Sequence, residues 1–224
     1  MIGFFTDVHA DLRSLQKVLT ALERSGADSL VCLGDLVVHG QRPNEVVDLI
    51  RRWQIPTVGG NHDHGAVHYR EDPSLVFFNP KSELHTALTQ TMLSEENRQF
   101  LSRLPDRLQI APQISCVHAS YRDRYALLSH QPNLCKVFAD SPTPVTLCGH
   151  THRTRVHIEH AGHTIDTVDP WAEGGDSWST ELDWGTKKYI LNCGNTSQLL
   201  YDRLPPVYGL LDISAQVLTW KRVY

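Results

Sequence analysis

A chain of 224 residues with 41% hydrophobic and 21% charged residues has the makeup of an ordered soluble protein, which excludes the disordered class. No apolar run approaches the roughly 18 residues of a membrane span, so no membrane partner is expected. The formal net charge is −4 and there is no Lys/Arg-rich tract. The footprint of a nucleic-acid duplex binder is therefore missing, while a nucleotide remains possible as a small substrate.

Ile2 to Phe5 reads as a short buried strand. Leu12, Leu15, Val18, Leu19 and Leu22 then fall on one face of a helix that Asp11 can cap and Gly26 can end. Ser29 to Leu33 is a second strand, closed by Gly34-Asp35. A second helix starts near Pro43 and turns Val46, Val47, Ile50 and Trp53 to the core. Pro56 to Val58 is expected to be a third strand, leading into Gly59-Gly60-Asn61-His62-Asp63. Strands separated by helices imply a largely parallel sheet. Ser82 to Thr91 and Ser94 to Leu104 read as helices, and Ile114 to Val117 and Val145 to Cys148 as buried strands. From Arg153 onward the pattern becomes strand and turn: 153–159, 164–168, 188–192, 207–213 and 216–223 predict a second, mainly antiparallel sheet. The expected fold is α/β, a four-layer α/β/β/α sandwich of two mixed sheets flanked by helices. One domain over 1–224 is expected, with residues 170–185, which carry three tryptophans, as an insertion.

The five cysteines, Cys32, Cys116, Cys135, Cys148 and Cys193, form no Cys-x-x-Cys pair and read as buried thiols. The N-terminal stretch lacks a basic start and a long apolar segment, which predicts a cytoplasmic protein.

The chemistry lies in five islands, each placed where an apolar run stops: Asp7-Val8-His9, Gly34-Asp35, Gly60-Asn61-His62-Asp63, His118, and Gly149-His150-Thr151-His152. In extended chain, residues two apart face one side, so Asp7 with His9, and His150 with His152, can each act from one backbone segment. Carboxylate and imidazole suit Mn, Fe or Zn. The ligands divide into Asp7, His9, Asp35 and His152 for one ion, and Asp35, Asn61, His118 and His150 for the other, with Asp35 offering its two oxygens to the two ions. Two anionic side chains against two divalent ions leave positive charge for a hydroxide bridging the metals and for a phosphate. His62 is the candidate catalytic residue, a phosphate contact or proton donor to the leaving group, with Asp63 orienting its ring. Gly34, Gly59, Gly60 and Gly149 would allow sharp turns. Arg122 is a further candidate phosphate contact. His64, His68, His85, His130, His157, His160 and His163 read as structural or solvent-facing.

The islands resemble the pattern of the calcineurin-like metallophosphoesterase superfamily, and the resemblance runs from Met1 to about Ile213. It is closest to small bacterial and archaeal phosphoesterases, through the stretches 34–46, 117–120 and 192–195. It implies a metal-dependent phosphatase or phosphodiesterase, a hydrolase acting on a small phosphorylated substrate through two divalent ions. The implied ligands are Asp7, His9, Asp35, Asn61, His118, His150 and His152, and the implied catalytic histidine is His62. Val38 and His39 stand where protein Ser/Thr phosphatases and dinucleoside tetraphosphatases carry an Arg, and Cys193 stands where a proline is usual. A nucleotide pyrophosphohydrolase and a non-catalytic metal-binding scaffold are the alternatives.

Overall fold

Neighbouring residues of a strand face opposite sides of its sheet, and here that alternation feeds three stacked cores. In β1 (Ile2–Phe5), Phe4 packs into the core between two sheets, while Phe5 packs into the core under the first helices. In β4 (Ile114–Val117) and β5 (Val145–Cys148), Cys116 and Leu147 enter the central core. Val117 and Cys148 enter a third core on the far side. These cores separate four layers, α/β/β/α, seen in a computed structural model that describes residues 1–72, 75, 79–199 and 204–224.

The outer helices follow from their sequences. In α1 (Leu12–Arg24), Leu15, Val18, Leu19 and Leu22 are buried on one face. Asp11 caps the helix by accepting the Ser14 N–H at 3.1 Å, and Gly26 leaves it at φ +70°. In α2 (Pro43–Arg52), Val46, Val47 and Ile50 are buried, but Trp53 lies just past the helix end and is 42% exposed, contrary to expectation. Three further helices, α3 (Asn61–His68), α4 (Pro80–Met92) and α5 (Glu95–Ser102), lie on the same side of the molecule. On the opposite side α6 (Gln131–Asp140) covers the other sheet with Leu134, Val137 and Phe138. No helix among the described residues is long and apolar enough to cross a membrane.

The strands divide between the sheets differently from the sequence-based expectation. With β2 (Ser29–Cys32), β8 (Ser177–Glu181), β10 (Val207–Asp212) and β11 (Val217–Arg222), the first sheet has the order β2-β1-β10-β11-β8. Only β1 and β2 are parallel. The expected third strand at Pro56 to Val58 is reduced to one bridge between Cys32 and Thr57, so C-terminal strands complete this sheet. With β3 (Arg107–Ala111), β6 (Thr154–Glu159), β7 (Ile165–Val168) and β9 (Lys188–Cys193), the second sheet runs β3-β4-β5-β9-β6-β7 and contains the parallel run β4-β5-β9. The stretch 170–185 supplies β8, whose Trp178 pairs with Trp220.

Fully buried Trp220 stands edge-on to Phe4, with ring centroids 5.0 Å apart, at the centre of the inter-sheet core. Gly209 makes that contact possible. A Cβ there would stand 2.2 Å from Phe4 and 2.6 Å from Trp220. Cys135 is exposed on α6; the other four cysteines are buried as expected.

Candidate metal centre

The carboxyl ends of β1, β2, β4 and β5 meet at one edge of the sandwich, where open α/β sheets place their sites. Asp7 and His9 follow β1, Asp35 follows β2, His118 follows β4, and His150 and His152 follow β5. Asn61 opens α3. Asp7, His9, Asp35, Asn61, His118 and His150 are all buried, and the His152 side chain is 9% exposed.

The backbone reaches this arrangement by strain rather than by the pleat of a strand. Asp7, His9, Asp35, His150 and His152 all have positive φ, between +49° and +69°. Neither Asp-x-His nor His-x-His is therefore extended, and their convergence does not come from the two-residue period of a strand. Left-handed turns beyond the strand ends bring the side chains together, a conformation uncommon for residues other than Gly, Asn and Asp. Val38, β-branched, and His39 continue the irregularity at +72° and +70°. Cross-loop hydrogen bonds hold these turns: Asp7 N–H to the Gly34 carbonyl at 3.0 Å, His9 N–H to that of Asp35 at 3.0 Å, and Ala10 N–H to that of Leu36 at 2.8 Å.

Of the motif glycines, only Gly34, at φ +98°, needs the left-handed region. Gly60 and Gly149 are required for room. A Cβ on Gly60 would lie 2.0 Å from Asp35 Oδ1, and one on Gly149 would lie 2.0 Å from Thr6 Oγ1 and 2.5 Å from Asp7 Oδ2.

Three overlapping groups of side chains among the described residues could each hold an ion: one is His9 with His39 and His62, and the other two are built from the sequence-predicted ligands. In the first of these two, Asp7, His9, Asp35 and His152 bring their ligand atoms within 4.8 Å of one another, and in the second Asp35, His118 and His150 do so. Asn61 joins the second group, its Oδ1 lying 3.1 Å from His118 Nε2. In the first group His152 Nε2 is 3.0 Å from Asp7 Oδ1 and 3.1 Å from His9 Nε2. In the second, His118 Nε2 is 3.3 Å from Asp35 Oδ2. That same Oδ2 lies 3.9 Å from His9 Nε2, whereas Asp35 Oδ1 accepts the His62 N–H at 2.9 Å. One oxygen of Asp35, rather than both, therefore faces the two groups.

The donor set fits divalent cations. Asp7 Oδ1 and Asp35 Oδ2 are buried and accept no hydrogen bond, an arrangement that costs free energy unless a cation faces them. The other edges of the ligands are occupied. Thr6 Oγ1 donates to Asp7 Oδ2 at 2.7 Å, and so does the His150 N–H at 3.0 Å. His118 Nδ1 donates to the Leu33 carbonyl at 2.7 Å, which leaves Nε2 as the inward atom. Asn192 Nδ2 donates to the Gly149 carbonyl at 2.6 Å and Thr151 Oγ1 at 3.0 Å, bracing the loop that carries both histidines.

Electrostatics report the same need for positive charge. Burial pushes Asp7 upward, but His152, His9 and His118 together hold it well below the usual carboxylate range. Asp35 behaves likewise, with His118 as its main partner. Burial works against a charge on His118, yet Asp35 and then Asp7 raise it to about 9. His150, with burial first and His118 second, is lowered to about 4.

His62 projects from the first turn of α3 into the cleft. Its ring centroid is 5.2 Å from that of His9 and 4.8 Å from that of His39. Burial lowers it to about 4, with Asp35 opposing. Asp63 does not orient this ring. Its carboxylate accepts the N–H groups of Leu36 at 2.8 Å, Val37 at 3.2 Å and Gly60 at 3.0 Å, because adjacent helix residues point about 100° apart. Arg122 forms a bidentate pair with Asp140, at 2.7 and 2.6 Å, and carries no part of the centre.

Sequence reasoning missed His39 and His85. His39 stands 5.1 Å, ring to ring, from His9, and its Nδ1 lies 3.0 Å from His85 Nδ1. His85 thus braces His39 from α4. The only available signal was the position of His39, four residues after Asp35, on a loop of irregular backbone. A cleft of about 670 Å³ opens above the centre, lined by Asp35, His62, His150, His152, Lys81 and Arg153 among others.

A family model for the calcineurin-like phosphoesterase superfamily domain matches residues 1–214. The crystal structure of a metallophosphoesterase from Sphaerobacter thermophilus superposes with a TM-score of 0.80 at 29% identity, covering 100% of this chain and 88% of that one. An uncharacterized protein of Methanocaldococcus jannaschii is 37% identical over 105 residues, 47% of this chain and 42% of its own. An uncharacterized metallophosphoesterase of Bacillus subtilis is 25% identical over 174 residues, 72% of this chain and 61% of its own. The chain thus spans less than two thirds of the length of these two curated relatives.

Proposed function

The chain belongs to the calcineurin-like phosphoesterase superfamily, and from that premise we propose that it is a binuclear metal-dependent hydrolase of a small phosphomonoester or phosphodiester. The observation that carries this reading is the convergence of two four-residue donor sets on one unsatisfied carboxylate oxygen, Asp35 Oδ2. Asp7, His9, Asp35 and His152 would hold one ion, and Asp35, Asn61, His118 and His150 the other. Bound there, divalent ions of the Mn, Fe or Zn type would supply Lewis acidity to acidify a water and neutralise phosphate charge.

The side chains do the rest. With only Asp7 and Asp35 anionic among these donors, the loaded centre keeps a positive excess that attracts a phosphate. His62 ligates neither ion in this reading and is neutral before substrate arrives, since its value is about 4. Its N–H can then donate to a phosphate oxygen, and the negative charge of the substrate raises its affinity for the proton that the leaving oxygen needs. Lys81 and Arg153, on the cleft wall, add positive charge at the mouth.

Purified protein loaded with Mn is expected to hydrolyse nitrophenyl phosphate or its bis-ester. Mass spectrometry should count two ions per chain. Asp35→Asn should abolish turnover and lower the ion count. Retention of both in that variant would overturn the proposal, as would absence of turnover with every divalent metal.

A further inference from the structure

A second cleft of about 670 Å³ adjoins the first, and the two share His39 and Lys81 as walls. The partition between them is built rather than incidental. The His39 ring stands 5.1 Å from the His9 ring on one side and 5.2 Å from the His85 ring on the other. Its Nδ1 lies 3.0 Å from His85 Nδ1, a distance at which one nitrogen must donate a proton to the other. This contact ties α4 to the loop after β2 and sets the second cleft beside the candidate metal centre.

The second cleft suits an anion for three separable reasons. Its walls include the opening residues of α1 (Asp11, Leu12 and Arg13), the lead-in to α2 (Gln41 and Arg42) and Lys81 in the first turn of α4. The start of α1 and the lead-in to α2 therefore border it, and α4 contributes the side chain of Lys81. Arg13 and Lys81 are exposed there, and neither makes an ion pair among the described residues. Asp11 is the only acid lining the cleft among those residues, and it is already committed. It is 8% exposed, and its oxygens accept Ser14 N–H at 3.1 Å, Ser14 Oγ–H at 2.7 Å and Gln198 N–H at 2.9 Å.

We propose, resting on the hydrolytic reading of the first cleft, that the second is an anion subsite and that the substrate is a phosphoester whose leaving group carries a further phosphate. Hydrolysis consumes one water. Its oxygen bonds to phosphorus as the P–O bond to the leaving group breaks, and a proton passes to the departing oxygen. The second phosphate then leaves on the alcohol product, held until release by Arg13 and Lys81. His39 and His85 are positioning residues that keep the two phosphate sites apart.

The test compares adenosine 3′,5′-bisphosphate with adenosine 5′-monophosphate on Mn-loaded protein, by equilibrium titration and by phosphate release. Two charge-assisted contacts predict binding of the bisphosphate at least about tenfold tighter than the monophosphate. The double variant Arg13→Gln/Lys81→Gln should bring the two ligands to near parity, and Arg13→Glu should weaken the bisphosphate further. Equal binding of both ligands by the natural protein, or a preference that survives the double variant, would overturn the subsite. If the preference appears and falls with the variants while no phosphoester is turned over, the subsite stands and the hydrolytic reading fails. Turnover of nitrophenyl phosphate without any bisphosphate preference leaves the hydrolytic reading standing and removes the subsite.

Discussion

The two donor groups of the candidate centre are held in different ways. In the group of Asp7, His9, Asp35 and His152, every member has a positive φ. Cross-loop backbone hydrogen bonds and one hydroxyl, Thr6 Oγ1, keep those turns in place. The residues unique to the other group sit in more ordinary backbone: Asn61 is the first residue of α3, His118 follows β4, and only His150 is left-handed. There the imidazole is held more tightly, with His118 Nδ1 2.7 Å from the Leu33 carbonyl against 3.4 Å between His9 Nδ1 and that of Val37. Strain stored in a loop persists only while the surroundings over-determine it. The Asp7 group should therefore be the more sensitive to small changes behind it, and the His118 group to changes in its own ligands.

The largest effect should come from a change that strikes both groups through their shared residue. Gly60→Ala sets a methyl 2.0 Å from Asp35 Oδ1 and 2.4 Å from the Asp35 nitrogen. Backbone cannot give way as a flexible side chain does, so the cost should reach about 3 kcal/mol or more. Thermal unfolding should record the loss of stability, and metal analysis a loss of both ions. A variant that keeps both ions and its melting temperature would mean that the loop after β2 is more compliant than its hydrogen bonds imply.

A smaller and more selective effect is expected from Thr6→Val, which keeps the shape and removes the hydroxyl that donates to Asp7 Oδ2 at 2.7 Å. Loss of such a supporting contact weakens metal affinity by about 10- to 100-fold. Only the ion of the Asp7 group should respond, so titration with Mn should resolve one weakened and one unchanged site. Equal weakening of both sites would erase the distinction between the groups.

The contrast between the groups also marks how far the sequence is legible. The islands announce themselves because Asp, Asn, His and Gly cluster where apolar runs end. The proposed division of the donors between two ions rests on counting them. The φ values cannot be read that way, since a residue two places from its partner converges with it in a pleated strand or in a pair of left-handed turns alike. Strand membership was legible only in part. Alternation shows that Phe4 and Phe5 face opposite ways, but not that β1 pairs with β10, where Gly3 stands opposite Leu210. That pairing is set by tertiary packing around Trp220 and Gly209. Trp53 and Cys135 depart from expectation, and the contact of His85 with His39 was not legible, for a related reason: each depends on where a helix ends or on what a distant element places beside it.

The smallest effect isolates what a buried imidazole does without a carboxylate, the complement of His118. His157, 5% exposed on β6, has Thr167 Oγ1 at 2.8 Å and no acid partner among the described residues. Burial, aided by Arg155, lowers it to about 4, whereas Asp35 lifts buried His118 to about 9. The unfolded chain binds a proton at His157 below about pH 6.5, and the folded chain does so only near pH 4. Between those values the unfolded state holds more protons. The contribution is thus fully present above about pH 6.5 and is lost as pH falls toward 4, to the extent of at most about 3 kcal/mol. His157→Gln, compared with the natural protein by denaturant unfolding at pH 7 and pH 4.5, should narrow the stability difference between the two pH values. An unchanged difference would show that His157 gains its proton in the folded state as readily as in the unfolded chain, and that burial without an acid does not distinguish it from His118.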